Sequence, residues 1–215
     1  MHGHCDGMNT SVVIRLTIGI LVATVAGCSG QTQAGTESDG GASTKSAIGA
    51  ACIPAAEKVT AFHGSSEREI NIETRSPTCE SELCLSNHFR GRVTCPYGQD
   101  SSGNAPPGAK ACTTPDGAPI ANDAHTGASV PAQCLDRTAD KAVYCSCRCA
   151  NAQGRTDDGA HYCACPSGLS CKPLVTAIGA NDDDLAGAYC IKDGTDFDPA
   201  TTCAAVCDPQ VATCR

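Results

Sequence analysis

The sequence predicts a small, disulfide-rich, mainly β fold with long irregular loops, set behind an N-terminal signal helix and a flexible linker. Three observations carry that expectation. Sixteen of the eighteen cysteines lie beyond position 28. Leu, Ile, Val and Phe make up only about an eighth of residues 28–215, below the roughly one-fifth under which a strongly charged chain stays disordered. Apolar residues or cysteines alternate with polar ones at 69–73 and 143–149, the period of a strand. Tryptophan is absent, and alanine and cysteine inflate the 41% hydrophobic fraction. Burial alone would struggle against the roughly 1 to 2 kcal/mol per residue of backbone ordering, so covalent cross-links are expected in place of a large core.

Residues 1–27 read as a signal peptide. Arg15 supplies a positive n-region, 16–26 an apolar h-region, and Ala26-Gly27 the small residues of a cleavage point. Met8 is the better start, so 1–7, with His2, His4 and Cys5, are expected to be untranslated or discarded and are assigned no function. The apolar run falls short of the roughly 20 residues of a membrane-spanning helix. The tetrad Val25-Ala26-Gly27-Cys28 resembles the lipobox of bacterial lipoproteins. That resemblance implies cleavage before Cys28, diacylglycerol in thioether linkage on its sulfur, and acylation of the new N-terminus. Two or more chains anchor stably where one holds only marginally. By the same analogy Ser29, standing where an aspartate would favour inner-membrane retention, implies the outer membrane. The expected location is therefore the cell envelope, extracytoplasmic and lipid-anchored. The competing reading is an ordinary secretion signal, with Cys28 in a disulfide.

Residues 28–47 are rich in Gly, Ser, Thr, Ala and Gln without hydrophobic period, and are expected to be a flexible tether. Beyond it stand Cys52, Cys79, Cys84, Cys95, Cys112, Cys134, Cys145, Cys147, Cys149, Cys163, Cys165, Cys171, Cys190, Cys203, Cys207 and Cys214. In an exported chain this even number predicts eight disulfides. Each is expected to stabilise by about 2 to 4 kcal/mol. The pairing stays open, since sixteen cysteines allow on the order of two million connectivities. No Cys-x-x-Cys occurs, which removes the thioredoxin-like motif and the usual zinc half-site. Cys145-Ser-Cys147-Arg-Cys149 and Cys163-Ala-Cys165 would suit a metal–thiolate site in a reducing cytosol; in an oxidising space they are expected to be cross-linked.

Residues 48–99 form an N-terminal cysteine-rich subdomain in this reading, with Ile70 and Ile72 on one face of a strand. Residues 100–142 are a Gly/Pro-rich loop region. Pro106-Pro107 and Asp116-Gly117 mark turns, and Cys112 pins the loop.

Residues 143–215 are expected to be a cysteine-rich β subdomain. Alternation places Cys145, Cys147 and Cys149 on one face of a strand and Tyr144, Ser146 and Arg148 on the other. Cys163 and Cys165 repeat the pattern, and Asp157-Asp158-Gly159 supplies a turn, so the two segments are expected to form a hairpin with a sulfur-filled inner face. Tyr144, Tyr162 and Tyr189 each precede a cysteine and are expected on the outer face, either packing loops or forming a binding row. The run 163–171 resembles the end of an epidermal-growth-factor-like module. Leu169 replaces the aromatic after Gly168, and the run reads as a convergent disulfide hairpin.

The block 84–99, containing Asn87-His88-Phe89-Arg90-Gly91-Arg92, and Tyr144-Cys-Ser-Cys-Arg-Cys-Ala150 are similar to cysteine-rich lipoproteins of the myxobacterial type. That resemblance spans about 48 to 215. It implies the envelope location already read at Cys28 and carries no activity.

Catalytic patterns are thin. His63, His88, His125 and His161 are isolated, without His-Glu-x-x-His or Gly-x-Ser-x-Gly. His88 is the best single candidate, against a structural, hydrogen-bonded histidine, and no catalytic residue is assigned. Asn181-Asp182-Asp183-Asp184 and Asp193-Gly-Thr-Asp196-Phe-Asp198 offer oxygens of the kind calcium uses, but without EF-hand spacing. Solvated acidic loops are the default, and no cofactor is expected unless calcium binds there. A net charge of -8 argues against nucleic acid. The expected function is binding, adhesion or envelope structure, not catalysis. The membrane is one partner, held through the lipid, and an envelope or extracellular protein or a glycan is the other. The alternative is a surface or periplasmic enzyme or a calcium- or metal-binding protein.

Overall fold

The structure, a computed structural model, describes residues 45–121, 128–176, 185–200, 203–211 and 214. All of them belong to one unit, Gly40–Arg215. The signal segment, Cys28, Ser29, most of the tether, His125 and the acidic run 181–184 lie outside the described residues.

The chain forms a 3-10 turn (Ala55–Lys58), β1 (Ile70–Thr74), β2 (Leu83–Asn87), a second 3-10 turn (Leu135–Arg137), α1 (Ala139–Ala142), β3 (Val143–Cys145), β4 (Arg148–Ala150), β5 (Leu169–Val175) and β6 (Gly187–Lys192). The strands make two antiparallel three-stranded sheets, β1-β2-β3 and β4-β6-β5. The fold is thus mainly β and rich in disulfides, with few helical turns.

In the first sheet, register decides which side chains share a face. Asn71 opposes Ser86, Glu73 opposes Cys84, and Cys84 opposes Cys145, all on one side. Ile72, Leu85 and Tyr144 align on the other. The first side is covered by Cys52–Cys84 and Cys79–Cys145, packed with Phe89, Ala142 and Val143. The second side buries Leu85 and Tyr144 against Ile191 of β6, with Ile70 and Ile72 partly buried around them. β3 lies in the 143–215 segment and β1 and β2 in the 48–99 segment, yet they share a sheet and a disulfide.

Three expectations change here. The alternating run 143–149 is not one strand. Ser146 sits at a break where its N–H donates to the Leu83 carbonyl (3.1 Å) and its hydroxyl to the Cys190 carbonyl (2.7 Å), so the chain passes from the first sheet to the second. Cys145 and Cys147 consequently serve different cores. Residues 163 and 165 are not in a strand, so no hairpin joins them to β4. The neighbour of β4 is β6, and the 163 segment touches β4 through the bond from Cys163 N–H to the Arg148 carbonyl, 3.0 Å. Nor do Tyr144 and Tyr189 cover an outer surface: they are 0% and 1% exposed, Tyr144 packing against Ile191 of the second sheet and Tyr189 lying within that sheet, in β6. Tyr162 alone of the three is partly exposed.

All sixteen cysteines from Cys52 onward are cross-linked in eight disulfides. Cys147–Cys163, Cys149–Cys171 and Cys165–Cys190 stack under the second sheet. The Cys190 sulfur lies 3.7 Å from that of Cys147 and 3.6 Å from that of Cys163. Cys165 and Cys171 each bond outside the 163–171 run, so that run is not a self-closed disulfide hairpin. The Gly/Pro-rich loop has a small core of its own, where Cys95–Cys112 packs with buried Ile120 and Val130.

Candidate functional site

A cleft of about 210 Å³ opens on the disulfide side of the first sheet. Asn71 and Ser86, paired in register, lie at its sheet side with Glu73 two residues along β1. The 3-10 turn Ala55–Lys58 forms one wall, and Phe62, Phe89 and Val93 supply apolar surface. The turn makes two backbone bonds of its own, from Glu57 N–H to the Pro54 carbonyl and from Val59 N–H to the Ala56 carbonyl, both 3.0 Å. It is fixed by Glu57, whose carboxylate accepts from Val93 N–H (2.7 Å) and the Thr94 hydroxyl (2.9 Å) and pairs with Arg92 at 3.3 Å.

The polar atoms of the cleft are chiefly acceptors. One oxygen of Glu73 accepts from Ala55 N–H, and one of Glu69 from Ser66 N–H at 3.4 Å. Asn71 Nδ2 donates to Ser65 Oγ at 3.5 Å. Ser86 is 3% exposed, lines the cleft, and has no side-chain hydrogen-bond partner among the described residues. Three glutamates line the space and no lysine, arginine or histidine does. Such a surface suits a ligand with an apolar body and a donor-rich, positively charged end.

The residues singled out in the sequence sit elsewhere. His88 adopts a left-handed backbone (φ 51°), stacks on Phe197 with ring centres 3.7 Å apart, and places Nδ1 3.0 Å from the Glu67 carbonyl. Burial pushes its pKa down and the Arg137 charge adds to this, while the bond to Glu67 opposes it. The arrangement is one of packing. His63 Nε2 lies 3.1 Å from the Ala121 carbonyl, and His161 is exposed. Asp193 accepts from the Ser170 hydroxyl, Asp196 pairs with Lys172 at 3.3 Å, and Asp198 accepts from Ala200 N–H at 2.9 Å. These acids are engaged by neighbours and do not converge on one point. Asp158 accepts from Tyr162 (2.7 Å) and Asn151 (2.8 Å), bonds that hold its pKa down at about 2. Among the described residues, the groups spaced closely enough for a metal are all cysteines, and every one of those sulfurs is in a disulfide.

The cleft was not singled out in the sequence. Part of it is visible there: Asn71 and Glu73 occupy the polar phase of β1, with Glu69 in the same phase just ahead of it, opposite Ile70 and Ile72. Arg92 and Glu57 carry no such mark, being 35 residues apart.

No family model, curated protein or solved structure matches the chain.

Proposed function

We propose that this chain is a binding module of the cell envelope, extracytoplasmic and lipid-anchored at the outer membrane through Cys28. The observation that carries the reading is that every cysteine from Cys52 to Cys214 is used in a cross-link, which leaves a rigid scaffold around a preformed cleft and no thiol for chemistry. Disulfides in this number suit an oxidising, extracytoplasmic compartment. The lipobox-like tetrad ending at Cys28 supports the anchor, and the envelope protein or glycan it meets is the partner.

Two measurements on the whole chain test this. Cys28→Ser should move the protein from the membrane to the soluble fraction, and unchanged fractionation would contradict lipidation. The soluble Cys28→Ser chain, secreted and oxidised, should capture an envelope component reproducibly from extracts. Capture of nothing above a reduced and alkylated control would remove the binding reading.

A further inference from the structure

We infer that the cleft over Asn71 and Ser86 receives a single lysine side chain, its ammonium group against the carboxylate side and its stem along the phenylalanines, presented by a basic segment of a partner protein. This deepens the binding-module reading and rests on it.

Five observations converge. Ser86 is 3% exposed, and its hydroxyl, open to the cleft, has no partner among the described residues. The residue is buried while its hydroxyl reaches the cleft without a protein partner, so a bond there is available to a ligand. Around it the free lone pairs belong to Glu69, Glu73 and Asn71, whose side chains each make one hydrogen bond within the protein and keep acceptor capacity. An ammonium brings three donors and no acceptor, the complement of that set. An anion would meet Glu69 and Glu73 without a lining cation, since the third glutamate, Glu57, is paired with Arg92 behind the wall.

Phe62, Phe89 and Val93 also line the cleft, apolar surface that suits the methylene stem of a long cationic side chain. Size narrows the ligand further. At about 210 Å³ the cleft is smaller than the roughly 300 Å³ at which drug-sized pockets begin, so it holds one side chain and not a folded epitope. A net charge of -8 draws a basic segment toward the molecule at long range, an advantage a lone small amine shares only weakly.

The probe is the peptide acetyl-Gly-Gly-Lys-Gly-Gly-amide, titrated into the oxidised Cys28→Ser chain and followed by amide NMR shifts at Asn71, Ser86 and Val93. Saturable shifts confined to the cleft are expected, weakening as salt rises. The same peptide with acetylated lysine should not shift these residues. Glu73→Gln should weaken the lysine peptide about tenfold, the scale of one charge-assisted hydrogen bond. Because Glu73 also holds Ala55, Ser86→Ala is the second variant, expected to weaken binding with native amide dispersion retained. Equal binding of the acetylated peptide, or no shift in the cleft, overturns the inference. Binding of n-butylammonium as tight as the peptide overturns its assignment to a protein segment. If the envelope capture succeeds while the peptide fails, the lysine assignment falls and the binding-module reading stands; if both fail, both fall.

Discussion

Arg92 and Glu57 form an ion pair, Nε to Oε2 3.3 Å, in which the side chains are 0% and 2% exposed. Arg92 also donates to the carbonyls of Glu57, Phe62 and Val59 (3.2 Å to Val59), while Glu57 accepts from Val93 and Thr94. One guanidinium therefore ties the turn at 55–58, the segment reaching Phe62 and the tight turn at 92–95 together beside the cleft. Its location follows from the shortage of apolar residues. Where Leu or Ile would normally pack, a buried charge pair fills the space; the guanidinium's two terminal nitrogens donate to carbonyls, while its Nε meets Glu57 only as an ion pair.

Removing one partner leaves the other buried and unpaired, which costs about 3 to 5 kcal/mol. Arg92→Met and Glu57→Leu should each lower the unfolding free energy, read from urea denaturation, by an amount in that range. The double change Glu57→Leu with Arg92→Met should recover part of the loss, because two apolar side chains strand no charge. A double variant as unstable as the sum of the singles would show that the pair is not the coupled unit.

The sulfur cluster gives a prediction about connectivity. Non-reducing proteolysis should release peptides linking Cys147 to Cys163, Cys149 to Cys171 and Cys165 to Cys190, and alkylation of the mature protein should find no thiol. In Cys165→Ser the Cys190 thiol is freed 3.6 Å from the Cys163 sulfur. As thiolate it can attack the Cys147–Cys163 bond, forming a new bond to one sulfur and expelling the other as thiolate, with no net oxidation. The variant should thus show its alkylatable thiol shared between Cys190 and either Cys147 or Cys163. A label found only on Cys190 would mean that the cluster does not exchange.

Some of this architecture is written locally. Ile70 and Ile72 mark β1 because a strand's two-residue period is legible over five positions, and the sixteen downstream cysteines mark a stapled domain because their number and compartment suffice. The pairing is not local, since Cys79 meets Cys145 across 66 residues and only the folded register brings them together. Tyr144 shows the same limit. Alternation correctly separates it from Cys145, but whether its face meets water depends on a second sheet whose position no pattern in 143–149 encodes. The cleft is the extreme case, because Glu57, Asn71, Ser86 and Val93 reach it from four segments.

Gly98 tests how tightly the Gly/Pro-rich loop is held. Its φ is 70°, and a Cβ there would stand 2.4 Å from the Val130 carbonyl oxygen and 2.7 Å from the Ala132 nitrogen. Backbone cannot withdraw as a side-chain tip can, because Gln99 and Val130 exchange bonds of 2.9 and 3.0 Å beside it. Gly98→Ala should destabilise by more than about 1 kcal/mol in thermal or urea unfolding. Gly117→Ala is the comparison: its φ is 89° with nothing within 4 Å of the added carbon, so it carries the conformational cost without the collision. Equal losses at the two sites would mean that the loop yields to the added carbon at Gly98.

His88 connects stability to pH. Burial against Phe197, with Arg137 donating to the His88 carbonyl at 3.0 Å, lowers its folded pKa below the ordinary 6.5. The folded state then favours the neutral ring, and between the lowered value and 6.5 the unfolded chain binds more protons. Stability from this group is present above pH 6.5 and is lost as the pH falls through 6.5, levelling off once the folded value is passed. Arg137 and, beyond it, Asp136 and Asp196 are the charged groups in this neighbourhood, and the two aspartates act on Arg137. His88→Asn is the discriminating variant, because asparagine tolerates the left-handed backbone at φ 51° while losing the titration. It should unfold at lower temperature than the parent at neutral pH, having lost the ring stack, yet show a flatter decline of Tm on acidification. Parallel Tm curves for the two proteins across that window would assign the acid sensitivity to other groups.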